Sequence, residues 1–531
     1  MGDSSDAANI HGVPLTKIEC NSISHGKKLV YEASEAGKKL HGYGKWSNMY
    51  VAERYSPDTV SSSWSVDHMS IVYIDIETEV EHGFPDVNDP NERVNIVTMF
   101  DFLTGKTVVH GLQGDYVMGD HVKKYCESVG MDPDKLTYTR HETEESLLAS
   151  TVGDFASFSP DIVTGWNLEM FDIPYLFNRI KRLRPSDGER IVSRFSPWRK
   201  IEPRTVRSRY GENQVYNIVG VETLDMMVLY KKFVLAPRES YKLDHIAQVD
   251  LDQTKLRHES GIPGHMLYRK HFSSGVDYNV KDVALLVGLE KKRNIIMSTI
   301  TIAYTSLVNF SDVTSQIRMW DNMIFVDLVG RGIQLPTKID HTPGSHYPGA
   351  YVKPPLVGRH RWVVSFDVTS MYPSFIRALN ISPEKLTTTV FALAKGDVDN
   401  QIKNVDRYID REVDTATAVT DDISVAANGH TFRRDSVGIL PRIVKKLFLE
   451  RQAYKRKMIE FKKLAEAETD ETKKKEHKDA AGRMDLLQNA RKVQLNSLYG
   501  AMGNEFFRFF DIRMASAITL TGQMLIKWVA K

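Results

Sequence analysis

A chain of 531 residues, 42% hydrophobic and 26% charged, has room for several domains of ordinary globular composition. Its net charge of +2 says nothing about nucleic acid, and no apolar run reaches the roughly 20 residues of a membrane helix. Two distant cysteines, Cys20 and Cys126, argue against a disulfide framework or a zinc site, and Met1 to Ala8 lacks the regions of a signal peptide, so a soluble cytoplasmic protein is expected.

In chain order, the small, polar start from Met1 to about Ile10 is expected to be disordered, and Ser61 to Ser65 reads as a linker. From Ile71 to about Lys292, β-type runs (Ile71-Val-Tyr-Ile, Asn95 to Phe100, Asp161 to Gly165) alternate with helical stretches after Asp172 and Val280, which predicts an α/β domain. Ile300 to Leu328 reads as helical. A Pro/Gly-rich connector, His341 to Pro355, leads to a buried-type strand, Trp362-Val-Val-Ser-Phe-Asp367. Two long helical patterns, Ile439 to Ala467 and Arg483 to Tyr499, flank Glu468 to Lys478, read as the turn of a helical hairpin. A last helix spans Met514 to Val529. Between Arg433 and Lys463 stand eleven Lys or Arg against three acids, a pattern that usually marks a solvated helix face.

Side chains alternate along a strand, so Asp75 and Glu77 in Ile71-Val-Tyr-Ile-Asp-Ile-Glu share one face. Two carboxylates there repel each other and are costly to bury, and a divalent cation relieves both problems. A wet edge strand is the equal alternative for that run alone. Asp172 falls at a helix start, where Asp is usually a cap. Asp282 lies four residues beyond Tyr278, on the same helical face. Spacing does not bring these groups together. Gly105-Lys106-Thr107 is not a phosphate loop, because Phe100 stands where the first glycine is required.

The segments around Asp75/Glu77, Asp172 and Tyr278/Asp282, in this order, resemble the three motifs of the DEDDy 3′→5′ exonucleases in family B DNA polymerases. The resemblance implies that Asp75, Glu77, Asp172 and Asp282 hold two Mg²⁺ ions (Mn²⁺ would also suit the oxygen ligands) and that Tyr278 orients the attacking water. Trp362 to Ser374 resembles the family's polymerase motif A. That implies metal binding at Asp367 and Val368, a triphosphate cradle at Ser370 and Met371, and a sugar-contacting Tyr372 that excludes a 2′-OH. Arg491-Lys-Val-Gln-Leu-Asn-Ser-Leu-Tyr-Gly500 resembles motif B. Lys492, Asn496 and Tyr499 would face the incoming nucleotide, and Gly500 the DNA, while Arg451 and Lys455 align with triphosphate-holding cations. Tyr347, Gly349 and Tyr351 resemble a connector where template passes, and Arg204 to Asn217 reads as a hairpin that helps move primer between sites.

The fold class implied is a multidomain α/β protein. A shortened N-terminal domain (1–70) precedes an RNase H-like exonuclease (71–297) and a connector (298–355). A partial palm (356–432), helical-hairpin fingers (433–505) and the start of a second palm segment (506–531) follow. No Asp-Thr-Asp follows motif B to supply a second palm carboxylate; Gly396-Asp-Val-Asp399 precedes it and lacks a strand context. The resemblance is closest to T-even-type phage polymerases. It implies the N-terminal part of a split or truncated replicative DNA-directed DNA polymerase in the cytoplasm of an infected bacterium. Its ligands would be primer–template DNA and dNTPs. A companion C-terminal chain would bring the second carboxylate, the thumb and the route to a sliding clamp. A stand-alone exonuclease and a non-catalytic primer–template scaffold are the alternatives.

Overall fold

A computed structural model describes residues 4–38, 40–42, 45–55, 66–81, 83, 85–208, 211–234, 236–256, 261–336, 338, 347–390, 398–412 and 422–531. The chain divides into two compact units, one of residues 1–62 with 301–531 and the other of residues 63–300. The expected linker at 61–65, the first part of the Pro/Gly connector (341–346), Tyr210 and Asp397 lie outside the described residues.

The N-terminal segment departs from expectation. Strands β1 (Ser4–Ala8) and β2 (Pro14–Thr16) pair antiparallel, with the Asn9 side chain accepting the His11 and Val13 N–H groups in the turn. Backbone bonds make this ladder, so polar side chains do not prevent it. Helices α1 (Ile23–Glu35) and α2 (Trp46–Arg54) follow.

In the second unit, β3 (Ile71–Thr78), β4 (Val94–Asp101), β5 (Lys106–Leu112), β6 (Leu136–His141), β7 (Ile162–Gly165) and β10 (Glu222–Asp225) form one six-stranded mixed sheet in the order β10-β7-β3-β4-β5-β6. Between them run α3 (Asp120–Val129), α4 (Glu144–Phe158), α5 (Asp172–Leu183), α6 (Gly188–Val192) and the hairpin β8 (Ile201–Ser208) with β9 (Gly211–Ile218). Helices α7 (Met226–Phe233), α8 (Leu243–Leu251) and α9 (Phe272–Arg293) complete the unit. Val72, Ile74 and Ile76 on one face of β3 join a core with Leu147, Phe155, Leu176 and Phe177. Helix α9 packs on β3 and β4. A buried fork from Arg179 to Glu144 (2.8 and 2.7 Å) ties α5 to α4, and Glu144 also accepts the Val94 N–H, fixing the helix that begins at Asp172.

At the far edge of this sheet His110 and His141 share a ring-nitrogen hydrogen bond of 3.1 Å, with Asp154 3.0 Å from His110 and Ser146 2.9 Å from His141. Burial, with His141 close by, pushes His110 down to about 4 despite Asp154. The unfolded chain therefore takes up this proton first, and stability falls as pH drops from about 6.5 towards 4, by on the order of 3 kcal/mol. Denaturant titrations at pH 7.5 and 4.5 should show a smaller acid loss in His110→Gln than in the parent; equal losses would place the sensitivity elsewhere.

Helix α10 (Ile295–Ser306) crosses the boundary between the units, and α11 (Gln316–Val329), α12 (Met371–Ala378) and α13 (Val398–Ile409) follow it. A three-stranded sheet holds β11 (Leu386–Val390), β12 (Ile423–Val425) and β13 (His430–Arg433), with β13 central. The long hairpin pairs α14 (Ile439–Ala467) with α15 (Glu471–Met502), and α16 (Ile512–Ala530) ends the chain. The turn expected over Glu468 to Lys478 is much shorter, because Asp470 caps α15 by accepting the Thr472 and Lys473 N–H groups.

The expected buried strand Trp362 to Asp367 is corrected outright. Residues 362–368 form no strand, and Trp362, Val363, Val364 and Phe366 are exposed (97%, 77%, 72% and 85%). A strand needs a neighbour for its N–H and C=O groups, and none of the described residues pairs with this segment.

Candidate active site

Asp75 and Glu77 stand on the β3 face that α9 covers, and α9 carries Tyr278 and Asp282 one turn apart. Carboxylate oxygens of Asp75, Glu77 and Asp282 lie within 4.8 Å of one another. Asp172, the first residue of α5, stands beside them but outside that cluster, its Oδ1 accepting the Ile76 N–H at 3.3 Å. The loop before it is shaped by Asp225, which accepts N–H groups from Asn167 and Glu169 at 3.2 Å while capping α7. Asn167 adopts a left-handed φ of 64°, a conformation Asn tolerates well.

Two residues unmarked by the sequence reading complete the site. Asn279 donates to Asp75 Oδ2 at 2.6 Å. Lys255, in the irregular segment after α8, reaches Asp282 Oδ2 and the Tyr278 hydroxyl, the latter at 3.0 Å. Its backbone N–H is fixed by Asp244 at 2.7 Å. No local pattern marks Lys255; Asn279 carried a signal in its place inside the Tyr278 to Asp282 segment.

Burial raises the Asp75 carboxyl well above its ordinary range, and repulsion from Asp172, Asp282 and Glu77 adds to it. Burial likewise lifts Glu77 to about 8 and Asp172 to about 7. Lys255 stays cationic, because Asp282 and its neighbours outweigh the cost of burying the ammonium. Asp282 Oδ1 is buried without a hydrogen-bond partner. Clustered carboxylates under mutual repulsion, one with an unpartnered buried oxygen, fit the all-oxygen donor set of a hard divalent cation.

In the other unit, α12 packs against α14, α15 and α16. The Tyr372 ring lies 4.7 Å from that of Tyr499, whose hydroxyl is 3.4 Å from the Tyr347 hydroxyl. Arg451 reaches to 3.5 Å of Ser370, beside Met371. Lys492 and Asn496 are exposed and Tyr499 partly so, on one side of α15 whose other side buries Arg491, Gln494, Leu495 and Leu498. Lys455 is exposed one turn beyond Arg451. Asp367 and Val368 are exposed in the unpaired segment, and no second carboxylate joins Asp367 in a ligand cluster among the described residues. The Gly349 carbonyl accepts from Gln523 at 2.8 Å, Tyr351 lies under the Lys527 ammonium at 5.2 Å, and Gly500 is exposed on α15. No helix among the described residues is long and apolar enough to cross a membrane.

Residues 30–246 match the model of the DNA polymerase family B exonuclease domain, and residues 280–531 that of DNA polymerase family B. The chain is 28% identical to the DNA-directed DNA polymerase of Escherichia phage RB69, over 98% of this chain and 61% of the phage protein. The same identity and coverage hold for the DNA-directed DNA polymerase of Enterobacteria phage T4. The DNA polymerase of Archaeoglobus fulgidus is 26% identical over 75% of this chain and 43% of its own length. The chain thus spans about 61% of the length of the phage relatives it matches.

Proposed function

The chain belongs to DNA polymerase family B, and we propose that residues 63–300 excise mismatched 3′-terminal nucleotides while the other unit binds a dNTP and primer–template DNA for a replicative polymerase. The convergence of Asp75, Glu77 and Asp282 beside Asp172 carries the first half of this reading. These four residues would hold Mg²⁺, which when bound activates a water and stabilises the leaving 3′ oxygen. The Lys255 ammonium donates to the Tyr278 oxygen, so the tyrosine's own proton is free to point at the attacking water. Burial holds the Tyr278 phenol above its ordinary pKa, so it orients the water as a donor and does not act as the base. Lys255 also offsets part of the negative charge of the carboxylates and of a scissile phosphate.

In the second unit, Lys492, Asn496, Tyr499, Arg451, Lys455, Ser370 and Met371 are proposed to receive the dNTP, with Tyr372 below the sugar. Asp367 and the Val368 carbonyl are proposed as metal ligands, and Tyr347, Gly349, Tyr351 and Gly500 as DNA contacts. Synthesis would need a second palm carboxylate from a companion chain, through which a sliding clamp would be reached. The exposed, unpaired apolar segment 362–368 supports that requirement, since a carboxylate-bearing strand pair would give it neighbours. The purified chain should shorten a labelled mismatched primer in Mg²⁺ with or without dNTPs and should not extend it. Extension by this chain alone would rule out the need for a companion, and absence of shortening would rule out the exonuclease.

A further inference from the structure

We propose that Gln494 is a positioning residue: a buried hydrogen-bond network centred on its amide sets the rotation of α15 that presents Lys492, Asn496 and Tyr499 to the triphosphate. This rests on the reading of that face as a dNTP site.

Gln494 is fully buried, and its side chain has polar partners on both sides. Its Nε2 donates to Thr305 Oγ1 at 3.0 Å and to Ser306 Oγ at 2.7 Å, while its Oε1 accepts from Arg491 Nη1 at 3.0 Å. The Trp320 indole donates to the Gln494 carbonyl at 3.0 Å and to Ser497 Oγ at 3.1 Å. Arg491, itself 3% exposed, has its Nε 2.6 Å from Glu450 on α14, the residue before Arg451. The network extends away from α15 as well. Asn322 on α11 donates to the Ser306 and Leu307 carbonyls at 3.0 and 2.6 Å, and accepts from Asn48 on α2 at 2.8 Å.

Apolar packing would hold α15 against α10 and α11 at least as cheaply, since buried polar groups bring little net stability over well-packed hydrophobic residues. Hydrogen bonds add direction. Leu495 and Leu498 could slide or turn by several degrees at small cost, whereas the Gln494 amide meets its three partners in one setting of the helix. Successive residues are about 100° apart around a helix, so Lys492 and Asn496, each two positions from Gln494, lie on nearly the opposite side of the helix, about 160° away, and swing with any rotation of it. An ion pair from Arg491 to Glu450 adds a contact with α14, the helix that carries Arg451.

The test uses the whole 531-residue chain, a primer–template, Mg²⁺ and a fluorescent deoxyadenosine triphosphate. Gln494→Met keeps the length and removes the hydrogen bonds. Gln494→Glu keeps the acceptor for Arg491, and the Ser306 hydroxyl can turn to donate to it, while the Thr305 hydroxyl already donates to the Thr301 carbonyl at 2.8 Å. Gln494→Met is expected to weaken triphosphate binding roughly tenfold, with excision of a mismatched primer unchanged. Gln494→Glu should bind more tightly than Gln494→Met even though its buried carboxylate gives it the lower melting temperature of the two. A purely structural role would make affinity follow melting temperature, and that result overturns the proposal. Lys492→Ala separates the two readings. If it weakens binding and Gln494→Met does not, the positioning role is wrong; if it too leaves binding unchanged, the dNTP face itself is misassigned. Should Gln494→Met fail to fold, the double variant Thr305→Val/Ser306→Ala removes the same bonds from the opposite side, and parental affinity there overturns the proposal.

Discussion

Replacing Asp75 and Glu77 together by alanine should abolish excision of a mismatched primer terminus, by roughly a thousandfold or more. The loss corresponds to about 4 kcal/mol of transition-state stabilisation, the scale expected when metal-ligating carboxylates are removed. Single-turnover excision measures it, and residual activity within about tenfold of the parent would move the active site elsewhere. The same variant should be more stable than the parent without metal. Glu77 at about 8 and Asp172 at about 7 bind protons more tightly in the folded chain than in the unfolded one. Metal-free, the folded state is therefore favoured at low pH and loses that advantage as pH rises from the ordinary carboxylate range through 7 and 8. The alanines remove the Glu77 part of this loss, so the melting temperature of the variant at pH 8.5 in chelator should exceed the parent's. The dependence runs opposite to that of His110, whose depressed pKa costs stability on the acid side.

Lys255→Met should reduce excision about a hundredfold while leaving primer binding nearly intact. The methionine fills the same space but leaves Asp282 Oδ2 and the Tyr278 hydroxyl without the cation they share. Loss of rate at saturating DNA, with little change in the concentration needed for half-saturation, separates this role from substrate binding. A rate within about threefold of the parent would exclude Lys255 from the chemistry.

Local periodicity pairs residues within each element of this site, and only the family resemblance joined the pairs to each other and to Asp172. Asp75 and Glu77 share a face because β3 alternates, and Tyr278 and Asp282 share one because they stand one turn apart on α9. Lys255 could not be found that way. It sits in no regular element, and the Asp244 carboxylate and the packing of α8 on α9 bring it in. The misread segments fail for related reasons. The charged stretch 471–478 looked like a turn, but a capped helix tolerates dense charge when its side chains face water. Trp362 to Asp367 has a core strand's composition, yet composition specifies only an appetite for burial. Whether a strand forms depends on a neighbour, which its own residues do not encode.

That segment also bears on how copies of the chain meet in solution. Trp362, Val363, Val364 and Phe366, with Leu356 and Val357 just upstream, offer water an apolar ribbon whose backbone has no strand partner among the described residues. An edge of this kind accepts any strand that arrives, including the same ribbon on another copy. With this ribbon exposed, pairing between copies is expected to grow with concentration.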